Sequence, residues 1–356
     1  MSKCRVRRRA GVVARTAALL LAVMAPVAAR ASMTLLVEQP YGKLGLFDPG
    51  GHSAVYLDRV CAASPTKLRP CRSGELGVVL SRYDGIGGYD WLAMPLVPYL
   101  YAVDSTAEIP RTMTREREAQ LRDAYRRQYL EALAPDAPNG ATPAGNWYEL
   151  IGSSYDRTIY GFRVRTTADQ DAMLIAEFND SRNKERYNGF YQNCADFVRV
   201  TIDRVYPHAI RRNYIADLGV TSPKAAARGL AHYAKKHPEA GLSVFVIPQV
   251  PGDLPRSHSN TGVIEGVVRR YSVPLVLISP EAEGVALVAY ISRGRFEMPK
   301  DAPALDLEAL QAQLAISQPF PMALPTMPEP LAPQVVESDV APVGTAGASE
   351  PVSMLQ

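Results

Sequence analysis

The order of apolar and polar positions changes period along the chain. Met33 to Gln39, Met-Thr-Leu-Leu-Val-Glu-Gln, predicts a strand, and Pro40, Gly42 and Gly45 follow it as turn residues. His52-Ser-Ala-Val-Tyr-Leu-Asp58 is a second β-rich run, entered through Asp48-Pro49-Gly50-Gly51, and Glu75 to Arg82 reads as its returning partner. Pairing the two about the intervening loop brings His52 close to Leu80 to Arg82. Tyr83 to Pro110 is rich in Gly, Pro and aromatics and is expected to wall or cover a cleft. From Thr114 to Leu133 the period becomes helical, with Leu121, Tyr125, Tyr129 and Leu133 on one face and Arg117, Arg122 and Arg126 expected to face water. A loop follows from Pro135 to Gly145, then a short helix at Trp147 to Gly152, a strand at Thr158 to Val164 and a helix from about Thr167 to Arg186.

Tyr187-Asn-Gly-Phe-Tyr-Gln-Asn-Cys-Ala-Asp-Phe-Val predicts a loop running into a helix, with Cys194 at the first turn. Pro223 to Lys236 is helical again, and Leu242 to Ile247, Leu275 to Ile278 and Val285 to Ile291 read as β-like runs that extend the first sheet or form a small one of their own. From Gln318 onward Pro, Ala, Glu and Val dominate without periodicity, which predicts a disordered tail. The front of the chain carries Lys3, Arg5, Arg7, Arg8 and Arg9, then an apolar run from Ala17 to Ala29, then Ala29-Arg30-Ala31. That order of basic, apolar and small residues is a secretory signal, with cleavage expected after Ala31 and a periplasmic or secreted product that does not span the membrane.

Composition changes this picture in two places. The seven basic side chains before Ser32 account for the formal charge of +3, which becomes −4 without them, so nothing supports a phosphate-neutralising nucleic-acid surface. Of the four cysteines, Cys4 leaves with the signal, and Cys61, Cys71 and Cys194 form an odd set in an oxidising compartment. Cys61 and Cys71 flank a turn-rich stretch where a disulfide closes a short hairpin connection, which leaves Cys194 outside it.

A thiol at the first turn of a helix sits beside backbone N–H groups and the positive end of the helix dipole, and both favour the thiolate. It also needs an imidazole to take and return a proton, and a third polar group to hold the ring. His52, opening a strand after two glycines, is the candidate base, and Ser81 is the candidate orienting group by register, with Glu75 and Asp84 behind it. The backbone N–H of Cys194 and a side chain such as Gln192 or Tyr41 are candidate oxyanion donors. His208, His232, His237 and His258 are weaker candidates, and His232 and His237, five apart near a lysine-rich helix end, are read as exposed residues that complement the helix dipole. No HExxH or paired CxxC occurs and Gly85-Ile-Gly87-Gly88 lacks a later glycine and a helix, so neither a metal nor a nucleotide cofactor is expected.

Gly51-His52-Ser-Ala-Val-Tyr on a strand, followed much later by Gln192-Asn193-Cys194-Ala-Asp-Phe197-Val198 opening a helix, resembles the circularly permuted branch of the NlpC-type papain-like superfamily, which includes lecithin retinol acyltransferase. The resemblance lies within Met33 to Tyr206. It implies Cys194 as nucleophile, His52 as base and acid, and an α+β papain-like fold with an antiparallel sheet packed on helices. The expected organisation is a signal peptide at 1–31, a catalytic domain at 32–215 with an insertion at about 83–150, an accessory α/β region at 216–317, and a tail at 318–356. The expected activity is that of a cysteine hydrolase or acyltransferase, most simply a cell-wall peptide amidase or endopeptidase acting on peptidoglycan. A lipid acyl hydrolase or transferase, or a non-catalytic envelope binding protein on the same fold, is the alternative.

Overall fold

The computed structural model describes residues 31–42 and 50–316, with the side chains of 271–275 excepted. The expected signal before Ala31 and the tail from Gln318 lie outside the described residues. Six strands form one antiparallel sheet: β1 (Ala31–Glu38), β2 (His52–Leu57), β5 (Val78–Ser81), β6 (Leu92–Pro95), β7 (Ile159–Thr166) and β8 (Ser243–Ile247), in the order β6-β5-β2-β1-β7-β8. β3 (Val60–Ser64) and β4 (Lys67–Pro70) form a separate hairpin between β2 and β5. The Cys61–Cys71 disulfide closes it, and Asn179 holds it by accepting from the Leu68 N–H at 2.9 Å and donating to the Leu68 carbonyl.

Every residue of β1 is buried because helices cover both faces of the sheet. Alternation sorts the side chains. Leu35, Val37, Val55, Leu57, Val78 and Leu80 point into a core shared with α4 (Ala168–Asp180), α5 (Cys194–Val205) and α6 (Pro223–Lys236). Leu36, Ala54, Tyr56, Val79 and Met94 point into a second core, shared with α1 (Leu96–Tyr101), α2 (Arg115–Tyr125) and the short α3 (Ser153–Asp156). Removing surface of this kind from water stabilises by about 25 cal/mol per Å². The α+β class with an antiparallel sheet is thus as expected.

Four readings of the sequence change. Tyr83 to Pro110 is no lid, since it supplies edge strand β6 and α1 and buries Trp91 and Tyr99. The helix from Thr114 is α-helical only to Tyr125 and continues as a wider turn over Arg126–Leu130. Its arginines are not all solvated: Arg122 is buried between Glu118 and Asp156, and Arg126 is fully buried, bonding Asp123, Asp136 and the Ala134 carbonyl. A buried cation survives only with such partners: Glu118 and Asp123 lie one turn back on the same helix, while Asp156, Asp136 and the Ala134 carbonyl come from outside the helical pattern. Leu275 to Ile278 and Val285 to Ile291 are helical, belonging to α7 (Val263–Ile278) and α8 (Pro280–Ala289) and the turn Tyr290–Gly294. Short apolar runs do not separate strand from helix, and here the Ser279 side chain caps α8 ahead of Pro280. β8, in contrast, does extend the first sheet. A last helix, α9 (Leu307–Ile316), buries Leu310 and Leu314 in the second core.

Candidate active site

β2 begins at His52 because the two residues before it turn the chain. Gly51 has φ of +75°, and a Cβ there would lie 2.2 Å from the Glu38 carbonyl oxygen and 2.7 Å from Asn260 Nδ2, so the turn takes glycine alone. Asn260 donates to the Glu38 and Gly50 carbonyls at 2.7 Å each, which pins the entry. The register Val55↔Leu80 and Leu57↔Val78 then carries Ser81 alongside the first turn of the strand.

His52 Nε2 lies 2.7 Å from Ser81 Oγ, and the Ser81 hydroxyl donates to the Ser53 carbonyl at 2.9 Å. A hydroxyl has one hydrogen and a carbonyl only accepts, so Ser81 must accept from the ring. Nε2 therefore carries the proton, and Nδ1 is the basic nitrogen. Tyr83 stacks on the imidazole, centroids 4.9 Å apart and planes 19° apart. Ser81 is the partner that the register indicated. Glu75 instead bonds Arg69 with both oxygens at 2.7 Å beside the disulfide, and Asp84 is exposed. Cys61, Cys71 and Glu75 cluster, but the sulfurs are bonded to each other and the carboxylate is held by Arg69, so this group is not a metal site.

Burial pushes the His52 imidazole down to about 3, and the Arg157 guanidinium adds to the effect. The ring is neutral in the folded chain. A histidine whose pKa is lower folded than unfolded takes up protons on unfolding, so it contributes stability above about pH 6.5 that is lost as pH falls toward 3. Asp171, raised by burial to about 7, acts with the opposite sign over the same range. The contribution of His52 is therefore read as a difference: the stability gap between the wild type and His52→Gln should fall by up to about 1.4 kcal/mol per pH unit between pH 6 and 4. Urea unfolding of both proteins across that range checks it, and a gap independent of pH contradicts it.

Cys194 is the first residue of α5 and is buried. Asn193 caps the helix, accepting from the Asp196 N–H at 2.9 Å and donating to the Gly189 and Thr221 carbonyls. Asp196 is buried and gathers Arg212, Thr221 and Arg199 on one oxygen. Phe197 lies under Arg82 and against Phe178. The motif around the cysteine thus builds its own frame: Asn193 starts the helix, Asp196 ties down the following loop, and Phe197 and Val198 seat the helix on the sheet.

α5 packs directly on β2 and β5. It shares the core of Val55, Leu57 and Leu80, whereas His52 belongs to the other face, with Ala54 and Tyr56. The structure brings His52 to Ser81 and lays the cysteine helix on the same strand, but the alternation sends the ring to the opposite face from that helix. A meeting of sulfur and imidazole has to run past the first residue of β2, around the end of the sheet.

On the His52 face lies an ionic cluster that the sequence reading did not identify. Arg157 pairs with Glu38 at 3.1 Å and with Glu149, and it sits 4.4 Å over the Tyr41 ring. Tyr99 donates to Glu38. Burial raises the Glu38 carboxyl against the lowering effect of Arg157. Tyr41, a candidate oxyanion donor, spends its hydrogen on Glu149 at 2.8 Å and is corrected to a member of this cluster. Gln192 lines a groove of about 710 Å³ beside the first turn of α5, together with Arg82, Trp91 and Phe197. Six cations and three carboxylates line that groove, and Arg182 and Lys184 make no ion pair among the described residues.

Together these features define an α+β protein with a six-stranded antiparallel sheet and a histidine–serine pair at the rim of the strand that supports a cysteine-led helix. Compared with family models, with curated proteins and with solved structures, the chain matches none of them.

Proposed function

We propose that this chain is an exported thiol enzyme of the permuted papain-like kind, transferring or hydrolysing an acyl group through Cys194. The observation that supports this most is the hydrogen-bond direction at Ser81, which puts a hydrogen on Nε2; with burial holding the ring neutral, Nδ1 is the nitrogen able to take a proton. Cys194 attacks an amide or ester carbonyl as Nδ1 takes the thiol proton. The oxyanion is met by the Cys194 backbone N–H at the helix start, and His52 then protonates the leaving group. Because the imidazole is held neutral, proton transfer accompanies attack rather than preceding it as a standing ion pair. Peptide stems of peptidoglycan, which carry carboxylates, suit the cation-rich groove beside α5, and lipid esters or amides are the second substrate class.

A non-catalytic binding protein on the same fold is the competing reading, favoured by the placement of His52 and α5 on opposite faces of β2. Labelling with a thiol-reactive probe across pH separates the two. In the enzyme, His52→Gln slows labelling of Cys194 and leaves only the pH dependence of an unassisted thiol, whereas equal labelling in both proteins favours the binding protein. Ser81→Ala should cut turnover or labelling by about tenfold to a hundredfold with little change in fold, since it frees the ring tautomer that Ser81 selects. An unaltered rate in Ser81→Ala removes serine from the mechanism.

A further inference from the structure

The hairpin of α7 and α8 is apolar on more sides than it can bury. Ala286 and Ala289 pack on Ile264 between the two helices, while Leu277 and Ile278 are 81% exposed, Val285 71% and Val288 66%. A helix that is apolar all round is normally covered, and a contiguous exposed apolar surface marks a partner or a membrane. The hairpin is rooted in the body by polar contacts at its base: Lys224 pairs with Glu265 at 2.8 Å, Asp217 accepts from the Val263 N–H, and Arg228 donates to the Gly294 carbonyl. Its outer part carries the apolar surface.

Two other exposed apolar segments continue this surface. The loop at 213–219 presents Tyr214, Ile215 and Leu218, and it joins the hairpin base through Asn213, which donates to the Arg293 carbonyl at 3.0 Å. Phe190 and Tyr191, just before Cys194, are 66% and 60% exposed and joined to the same loop by Arg212, which donates to the Tyr191 and Gly219 carbonyls. Twelve of the sixteen exposed large hydrophobic residues among the described residues fall in these three segments.

Beside them, at the hairpin base, is a concavity of about 1000 Å³ lined by Arg211, Arg212, Lys236, Arg293 and Arg295 among others, and by no Asp or Glu. Arg211, Lys236 and Arg293 make no ion pair among the described residues. Apolar side chains flanked by uncompensated arginines match the boundary between acyl chains and anionic headgroups of a bilayer. No helix among the described residues is long and apolar enough to cross a membrane, and Glu281 stands exposed at the hairpin turn, so the match is to a bilayer surface.

We infer that the α7–α8 hairpin, the 213–219 loop and the basic concavity form a docking surface for an anionic phospholipid bilayer. This is independent of the chemistry assigned to Cys194, and it lays the loop leading to that residue against lipid. The test places a tryptophan in the full chain by Leu277→Trp, with Val288→Trp repeating the reading from α8. A control is Met173→Trp, on exposed α4 outside this surface. The native Trp91 and Trp147 are buried and supply a constant background. Vesicles of phosphatidylethanolamine and brominated phosphatidylglycerol should quench position 277 and leave 173 unchanged. Arg293→Gln with Arg295→Gln should weaken the effect roughly thirtyfold, as should uncharged phosphatidylcholine vesicles in direction. Position 277 unaffected by vesicles, equal quenching at 173, or a change at 277 that follows protein concentration without vesicles, which marks a second copy as the occupant, each overturns the proposal.

Discussion

Cys194→Ser should abolish acyl transfer, lowering turnover by about 10³- to 10⁶-fold while leaving the fold intact. The oxygen is close to sulfur in size, so the start of α5 keeps its Asn193 cap and its seat on β2. On the proposed mechanism, what is lost is the more acidic and more polarisable nucleophile, since a serine hydroxyl would need a stronger base than an imidazole whose basicity burial has lowered. His52→Ala should cost a comparable factor, and the double variant little more than either, because two groups that act in one step do not add. Mass analysis of a purified peptidoglycan digest, with a parallel assay on phospholipid, reads the outcome. Residual turnover in Cys194→Ser above a tenth of the wild type would remove the thiol from the reaction.

The largest effect on stability should come from Arg157. Arg157→Met leaves the Glu38 carboxylate buried with its cation gone, and it removes the partner of Glu149 and the lid over the Tyr41 ring. Breaking a buried pair from one side costs about 3–5 kcal/mol. For a unit of this size that corresponds to a fall in Tm of about 6–20 °C. The loss should be greatest at neutral pH and shrink in acid, because Glu38, already raised by burial, protonates more readily once Arg157 no longer lowers it. Thermal unfolding at neutral and mildly acid pH measures both features, and a cost below about 1 kcal/mol would mean that water replaces the guanidinium.

Local pattern was enough to read much of the frame of the site. Pairing two β-rich runs about the Cys61–Cys71 stretch put His52 within reach of Ser81, and the observed register does so. The helical pattern from Pro223 to Lys236 and the placing of Cys194 at a first turn match α6 and the start of α5, where the structure adds Ser222 and Asn193 as the caps. These features are legible because capping, disulfide closure and hairpin symmetry are set by residues near one another in sequence. What was not legible depends on distant partners. Nothing near Arg122 announces Asp156, and nothing near Glu38 announces Arg157, yet those contacts decide which charges are buried. The face on which His52 points relative to α5 follows from which helices cover which side of the sheet, a matter of topology rather than local pattern. The α7–α8 hairpin misled for a different reason, since its β-branched valines and isoleucines favour strands on propensity and only the capped turn at Ser279 separates the two helices.

The place of β1 in the sheet bears on how the chain comes to be folded. It is the first strand among the described residues, yet it lies in the interior between β2 and β7, paired from Ala31 through Glu38 with residues 159–166. Its outer neighbour therefore does not exist until well over a hundred further residues have been synthesised, and β8 arrives later still. Closing such a long loop costs entropy before the pairing rewards it, so β1 can pair early with β2 and gains its β7 neighbour only late, leaving one edge of the growing sheet open in the meantime.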